Sequence, residues 1–257
     1  MWTLTRNSEL PLWRRAASAH GAVLAFSTRR GGVSLPPFDT LNLGRSTADE
    51  PDAVSANRGR LLTTLGLDPA FLATAGQVHG TRIVEVTGPG HQLECDALLT
   101  SVPGLALAVT TADCMSLLFE APGVVAAAHS GWRGAADGMP LAALRAVCER
   151  ARCGPERVHV HFGPCNRGCC YEVGEEVAER FPEPALRREG LPNPHLDLPT
   201  ATRIALVAAG LPDAQVHDTE ACTSCEPYWY FSHRRDAGLT GRLWGVAALS
   251  GDGGSNG

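Results

Sequence analysis

The stretch that decides the fold is GLALAVTTADCMSLLFEAPGVVAAAHSGWRG, residues 104 to 134. Its apolar runs are short, rich in Ala, Val and Leu, and bounded by Gly, Pro or polar clusters, which is typical of buried strands. The pattern predicts two neighbouring strands joined by a turn at Pro122 and Gly123. We expect the first strand to carry Asp113 and Cys114 and the second to end at His129.

A thiol and an imidazole at strand ends are metal-binding groups, and a second imidazole lies upstream. His79 belongs to the segment QVHG, residues 77 to 80, between two short apolar runs. If His79, Cys114 and His129 meet, they form a three-ligand zinc site with an open fourth position, as in catalytic zinc. Copper is the alternative, because two His and one Cys with an axial Met describe a blue-copper site and Met115 follows Cys114. Side chains alternate along a strand, so Met115 points away from the Cys114 face, which weakens copper.

Composition sets limits on the class of protein. The chain has 257 residues, nine cysteines and a formal charge of -5. The odd cysteine count and the lack of apolar runs of signal-peptide or membrane-spanning length predict a cytoplasmic protein with no membrane partner. The negative charge argues against nucleic acid as a partner. All 22 basic residues are Arg, which excludes Schiff-base and P-loop lysines, so any phosphate must be held by Arg, backbone N–H groups or a metal.

The rest of the chain mixes apolar runs, loops and helical patterns. An apolar run at 22–26 leads into a long loop that holds Arg29, Arg30, Asn42 and Arg45, and such loops tend to bind ligands. Helices are predicted at 49–65, within 141–154, from about 173 and at 199–209, and a strand ends the chain near 249. The turn after His129 allows either an anion site near Arg133 or a tight turn packed by Trp132.

Five further cysteines are candidate ligands of a second metal ion: Cys165, Cys169, Cys170, Cys222 and Cys225. The spacing from Cys222 to Cys225 suits a structural zinc site. The other cysteines offer no second pair with that spacing, so buried or loop thiols are the favoured interpretation.

The chain resembles the bacterial laccase-domain family, also called multicopper polyphenol oxidase-like proteins or the peptidoglycan editing factor group. Independent motifs carry the resemblance in order along nearly the whole chain: RRGGVS at 29–34, LNLG at 41–44, QVHG at 77–80, TADC at 111–114, HSGWRG at 129–134, CCYEVG at 169–174, FSHRRD from 231 and TGR to 242. The resemblance implies a single α/β catalytic domain, residues 1–250, with a mixed sheet flanked by helices. A disordered tail is expected at 251–257.

The resemblance also implies an activity and a metal. His79, Cys114 and His129 are expected to hold Zn2+, and the enzyme is expected to be a purine nucleoside phosphorylase with adenosine deaminase activity. Its small-molecule partners would be phosphate and adenosine, inosine, guanosine or S-methyl-5′-thioadenosine. We expect Arg29, Asn42 and Arg133 around the phosphate and ribose, with Arg133 also catalytic. Asp113 and Glu172 are the candidate acid/base carboxylates.

Two other functions stay open at the level of sequence. A copper-dependent polyphenol oxidase holding Cu2+ needs roughly ten histidines for four coppers, and this chain has nine, six of them scattered outside the motifs. A non-catalytic protein could use zinc to brace the fold while the loop at 29–45 grips a nucleoside or a cell-wall precursor. An open coordination position favours an enzyme, a blue or green colour favours copper, and a closed four-ligand zinc favours the brace.

Overall fold

The computed structural model of the protein describes residues 1–15 and 17–251. Its strands in chain order are β1 (Trp2–Leu4), β2 (Leu12–Arg15), β3 (Ala22–Ser27), β4 (Leu72–Ala75), β5 (Ile83–Glu85), β6 (Gly90–Gln92), β7 (Ala97–Thr100), β8 (Ala106–Thr111), β9 (Met115–Ala121), β10 (Val124–Ser130), β11 (His159–Phe162), β12 (Leu186–Arg187), β13 (His195–Leu196), β14 (Val216–Asp218) and β15 (Leu243–Leu249). Its α-helices are α1 (Pro51–Thr64), α2 (Trp132–Ala136), α3 (Met139–Ala151), α4 (Glu175–Ala178) and α5 (Leu198–Ala208). Short 3-10 turns lie at Pro155–Arg157, Glu183–Ala185 and Asp213–Gln215.

The strands form two main sheets with mixed strand directions. In the described part of the chain, one sheet has seven strands in the order β1-β2-β3-β15-β8-β4-β6, and the other has six in the order β14-β11-β9-β10-β7-β5. Within the first sheet β4 runs parallel to β8, whereas β15 pairs with β8 antiparallel. Within the second sheet β10 pairs antiparallel with both β9 and β7. The α/β class with mixed sheets and flanking helices is therefore confirmed.

The two sheets pack face to face between layers of helix. Alternation along β10 shows this directly, since Val125 and Ala127 pack between the sheets, while Val124, Ala126 and Ala128 face α3 and α5 on the outer side. On the far side of the seven-stranded sheet, Leu61 and Leu62 of α1 pack against Trp244 and its neighbours. Both faces of the central strands are buried, which explains their continuous apolar sequences.

The expectation of a single strand carrying Asp113 and Cys114 is wrong. The apolar run from 104 to 121 divides into β8 and β9, which belong to different sheets. Asp113 sits in the connection with φ of 91°, a left-handed conformation that lies outside the range of a regular β-strand. Cys114 therefore lies where the chain crosses from one sheet to the other. The predicted turn at Pro122 and Gly123 is confirmed between β9 and β10.

The other predicted elements fall close to the observed ones. Helices α1, α3 and α5 match the periodic segments, whereas α4 is a single turn. The predicted tail lies outside the described residues except for Gly251, and the division into one domain at 1–250 stays a prediction. None of the helices within residues 1–15 and 17–251 has the length and hydropathy needed to cross a membrane.

Candidate metal centre and adjoining cavity

Two of the places where the chain passes between the sheets converge on one site. His79 lies between β4 of the first sheet and β5 of the second, and Cys114 lies between β8 and β9. His129 is the penultimate residue of β10, paired with Ser116 of β9. One potential ligand atom from each of these three residues lies within 4.8 Å of the others. The three predicted metal ligands, here called the metal triad, are thus brought together.

A buried aspartate fixes two members of the metal triad. Asp96 Oδ1 accepts hydrogen bonds from His129 Nδ1 at 2.8 Å and from the backbone N–H of His79 at 2.9 Å. Its Oδ2 accepts from the N–H groups of Val78 and Gly80 at 3.1 and 2.8 Å. These bonds hold a turn in which His79 itself has φ of 63°. Because Nδ1 of His129 is used by Asp96, Nε2 is left to face a metal, as in carboxylate–histidine–metal arrangements.

Gly131 leaves room for the metal triad. A Cβ at this position would lie 2.9 Å from Cys114 Sγ and 3.3 Å from Cδ2 of His79. Only a residue without a side chain lets the backbone after β10 approach the sulfur and the imidazole this closely. The donor set of two imidazoles and one thiol, closely packed and oriented by Asp96, fits a zinc ion.

Charge within the metal triad favours a thiolate. Burial favours the neutral thiol of Cys114, but the charge of His129 and hydrogen bonds from His129 and His79 lower its pKa to about 6. Burial also disfavours a charged His129, yet Cys114 and Asp96 raise its pKa to about 9. The thiolate is the form of cysteine that binds metals.

A cavity of about 650 Å3 opens onto the metal triad. That volume is in the range of small-molecule sites. Its charged lining combines four arginines with one carboxylate among the described residues: Arg45, Arg58, Arg234, Arg242 and Asp113. Gln77, His91, Tyr171 and His233 add polar groups. The excess of cationic side chains makes this cavity suited to an anion.

Arg58 is the most unusual of these arginines, because it is 7% exposed and only partly satisfied. Its Nε and Nη2 donate to the carbonyl of Leu43 at 2.8 and 2.6 Å. Its buried Nη1 has no hydrogen-bond partner within the described residues. Burial, with a further contribution from Arg45, lowers the pKa of Arg58 to about 9. A buried donor without a partner is costly, and an anionic ligand in the cavity would satisfy it.

Two residues predicted to bind substrate make hydrogen bonds within the protein, and their roles in substrate binding stay predictions. Arg29 donates to the carbonyl and the carboxylate of Asp39 at 2.8 and 3.0 Å and stacks over Phe231. Asn42 is fully buried, and its Oδ1 accepts from the backbone N–H of Arg242 at 2.9 Å. Neither is among the described residues that line the cavity. Asn42 instead holds the backbone of a cavity arginine in place.

The predicted catalytic residues are divided between the cavity and its surroundings. Asp113 lines the cavity, and its two oxygens accept from Thr223 Oγ1 at 2.6 Å and from the N–H of Arg234 at 2.7 Å. Arg133 is exposed and stacks over Trp132, and Glu172 lines a neighbouring surface depression. Both lie outside the described lining of the main cavity. Their catalytic roles stay predictions.

The sequence did not identify the polar residues whose roles depend on their being buried in the fold. The signal for Asp96 was a carboxylate at the start of the run DALLT, where a charged group is seldom buried without partners. Arg58 lies on the inner side of a helix whose apolar positions surround it, and a long charged side chain there needs a specific partner. The cavity lining from Tyr171, His233 and Arg234 comes from two distant loops, which no local pattern joins.

Comparison with known families gives a match over most of the chain. A family model described as multi-copper polyphenol oxidoreductase laccase matches residues 23–250. A Deinococcus radiodurans protein named purine nucleoside phosphorylase is 43% identical over 234 residues, covering 88% of this chain and 88% of that protein. Purine nucleoside phosphorylase YlmD of Geobacillus stearothermophilus is 38% identical over 242 residues, covering 87% of this chain and 88% of the relative.

Solved structures share the whole fold. The crystal structure of YlmD from Geobacillus stearothermophilus aligns with a TM-score of 0.88 at 35% identity, covering 93% of this chain and 96% of the other. The structure of the Bacillus licheniformis hypothetical protein YfiH aligns with a TM-score of 0.89 at 30% identity, covering 96% and 99% respectively. The two-sheet arrangement that creates the crossings is therefore shared with these proteins.

Proposed function

Because the chain belongs to the laccase-like family described as multi-copper polyphenol oxidoreductase laccase, and its Deinococcus and Geobacillus relatives carry the name purine nucleoside phosphorylase, we propose that it is a zinc-dependent purine nucleoside phosphorylase. The observation that carries the proposal is the shared cavity of about 650 Å3, which the metal triad and several arginines line together. Adenosine, inosine, guanosine and S-methyl-5′-thioadenosine are the proposed nucleosides, and adenosine deamination is the proposed second activity.

Phosphate binding is assigned to Arg45, Arg58 and Arg242. Phosphorolysis joins a phosphate oxygen to C1′ of the nucleoside while the bond from C1′ to the purine nitrogen breaks, so the site must hold an anion next to the sugar. The unpartnered Nη1 of Arg58 is a charge-assisted donor to that anion. Asn42 fixes the backbone of Arg242 and so contributes from behind the cavity wall.

A neutral hydrogen-bond donor, Tyr171, and one carboxylate, Asp113, are proposed to interact with the departing purine base. Burial, with Cys114 and Asp113, raises the pKa of Tyr171 to about 12, so its phenol keeps its proton and can donate a hydrogen bond. Asp113 is the carboxylate within reach of ligands in the cavity, and we assign it proton transfer. When bound to the metal triad, zinc would supply a Lewis acid at the same wall of the cavity.

Polyphenol oxidation is not part of the proposal. Within the described residues, the metal triad is the one histidine-containing group of three or more residues whose ligand atoms are close enough to share an ion. His159, His161 and His217 instead stack on one another beside Glu120. Met115 is buried in the core with its sulfur beside Thr202, so it supplies no axial ligand from the cavity.

Chromatography of the products tests the proposal. Zinc-loaded protein is incubated with adenosine, with and without phosphate, beside a His79→Ala variant and a His20→Ala control whose histidine bonds to Arg157 away from the cavity. We expect adenine only with phosphate, a smaller yield of inosine without it, and loss of both in His79→Ala alone. Absence of both products from fully zinc-loaded wild-type protein would refute the proposal.

A further inference from the structure

Four cysteines outside the cavity form a second group of metal-binding side chains. Cys169 and Cys170 lie in the loop after β11, and Cys222 and Cys225 lie in the loop after β14. Their sulfur atoms are all within 4.8 Å of one another. Cys225 Sγ is 3.2 Å from Cys170 Sγ and 3.5 Å from Cys169 Sγ. We call these four residues the cysteine cluster.

The spacing of the sulfurs fits coordination of one ion. Zinc–sulfur bonds of about 2.3 Å in a tetrahedron place neighbouring sulfurs about 3.8 Å apart, whereas a disulfide brings two sulfurs to about 2.05 Å. The separations of 3.2 and 3.5 Å lie just below the first value and far above the second, and every pair lies within 4.8 Å. Cys225 is also close to both sulfurs of the first loop at once, an arrangement that one central ion satisfies and that a disulfide cannot.

Hydrogen bonds hold the two loops that carry the cysteine cluster next to each other. Cys165 and Cys222 form a parallel bridge, in which the N–H of Thr223 donates to the carbonyl of Cys165 at 2.9 Å. Arg167 of the first loop donates two hydrogen bonds of 2.9 and 2.8 Å to Asp218, the last residue of β14, after which the second loop begins. The fifth cysteine, Cys165, is fully buried and stays outside the cluster. The cluster is thus held by its backbone, with Cys169 and Cys225 exposed for metal entry.

We propose that the cysteine cluster binds a second zinc ion, with a structural role. Four thiols that lose their protons on binding supply a complete tetrahedral set, which leaves no open position for a substrate. Soft sulfur ligands in this geometry favour zinc over the hard cations. The inference rests on the cluster alone and does not depend on the proposed reaction.

The two loops that carry the cysteine cluster also contribute residues to the cavity. The loop after β11 carries Tyr171, and the loop after β14 carries Arg234, and both residues line the cavity. Thr223, between the cysteines of the second loop, also donates to Asp113. An ion shared by the two loops would therefore fix one wall of the cavity relative to the other.

Metal content tests the proposal on the full-length protein, loaded with zinc under reducing conditions and freed of excess metal. We expect two zinc ions per wild-type chain by elemental analysis. We expect one in Cys222→Ser/Cys225→Ser, one in His79→Ala, and two in the control Cys148→Ser/Cys153→Ser, whose half-buried cysteines lie outside both groups. Equal zinc content in the wild-type protein and in Cys222→Ser/Cys225→Ser, or iron in place of the zinc that this variant loses, would overturn the proposal.

Alkylation of wild-type protein provides a measurement that needs no variant. Cys169 and Cys225 are exposed, so an unbound thiol at either position reacts quickly with iodoacetamide. We expect peptide mass mapping to show both protected at least tenfold until a zinc chelator is added. Equal labelling with and without chelator would contradict a bound ion, and protection that only a reductant removes would replace it with a disulfide.

Discussion

Asp96 is the residue whose replacement most sharply tests how the metal triad is organised. It accepts hydrogen bonds from His129 Nδ1 and from the backbone N–H groups of Val78, His79 and Gly80. Asparagine has the same shape but only one accepting oxygen, so Asp96→Asn leaves two of the four donors facing an NH2 group at a buried position. Each buried donor left unsatisfied costs about 1–3 kcal/mol. We therefore expect a loss of about 3 kcal/mol in the free energy of unfolding.

The same substitution should weaken metal binding in protein that remains folded. Partners that orient a histidine ligand contribute about 10- to 100-fold to metal affinity, and Asp96 orients both His129 and the turn bearing His79. The assay is competition with a fluorescent zinc chelator, alongside urea unfolding of metal-free protein. Asp137→Asn, which changes an exposed aspartate paired with Arg180, serves as the control with unchanged affinity. Wild-type zinc affinity in folded Asp96→Asn would refute the assigned role.

Three further predictions follow from the site and the core. Arg58→Met should raise the KM for phosphate about tenfold, the effect of losing about 1.4 kcal/mol from a charge-assisted hydrogen bond, and an equal rise in the nucleoside KM would contradict a phosphate site. Gly131→Ala should lower zinc occupancy of the metal triad, since its Cβ would lie 2.9 Å from Cys114 Sγ; full occupancy by elemental analysis would count against the close packing. The free energy of unfolding, measured with urea, should fall as the pH drops from about 6.5. Burial lowers the pKa of His161 to about 4. Hydrogen bonds, chiefly from His161, outweigh the effect of burial on Glu120 and lower its pKa to about 2. The unfolded chain then binds protons that the folded protein does not, so Glu120→Gln should flatten the profile below pH 4.5, and an unchanged slope would exclude this source.

The sign of the acid effect follows from the hydrogen bonds around His161. Its Nε2 donates to Glu120 at 3.1 Å, and its Nδ1 accepts from Arg15 at 3.3 Å, so the neutral imidazole satisfies both partners. Protonation would place a donor against the Arg15 guanidinium. Glu120 further accepts from Ser18 and from the N–H of His20, which ties the segment before β3 to the sheet. Acid therefore removes contacts that exist only with a neutral histidine and an ionised glutamate.

The sequence identified the candidate metal ligands, because these are His and Cys residues next to the ends of apolar segments. His79, Cys114 and His129 were singled out as ligands, and the structure brings them together. The strand that was expected to carry Cys114 does not exist as one element, because the positive φ of Asp113 breaks it and sends the chain to the second sheet. Periodicity sees apolar residues on both sides of that break and gives no sign of a change of sheet.

Sequence reasoning was least informative for residues whose role is set by burial. Asn42 and Arg29 have the side chains expected of ligand-binding residues, and in the structure Arg29 donates to Asp39 while Asn42 bonds to Asp49 and to the N–H of Arg242. Arg58 looks like an ordinary helix arginine until the packing of Leu43 and Trp244 around it is known. The convergence of the four sulfurs of the cysteine cluster likewise depends on the backbone bridge between Cys165 and Cys222, which joins two loops that are distant in the sequence.

The most direct test of the central claim is phosphorus NMR of adenosine, inorganic phosphate and zinc-loaded protein in one sample. Phosphorolysis transfers the ribose to phosphate, so we predict that the inorganic phosphate signal falls while a ribose 1-phosphate signal rises, in equal amounts to the free adenine. Adenine without a new phosphorus signal would show hydrolysis instead. An unchanged spectrum with fully occupied metal triad would contradict the assignment of this cavity to phosphorolysis.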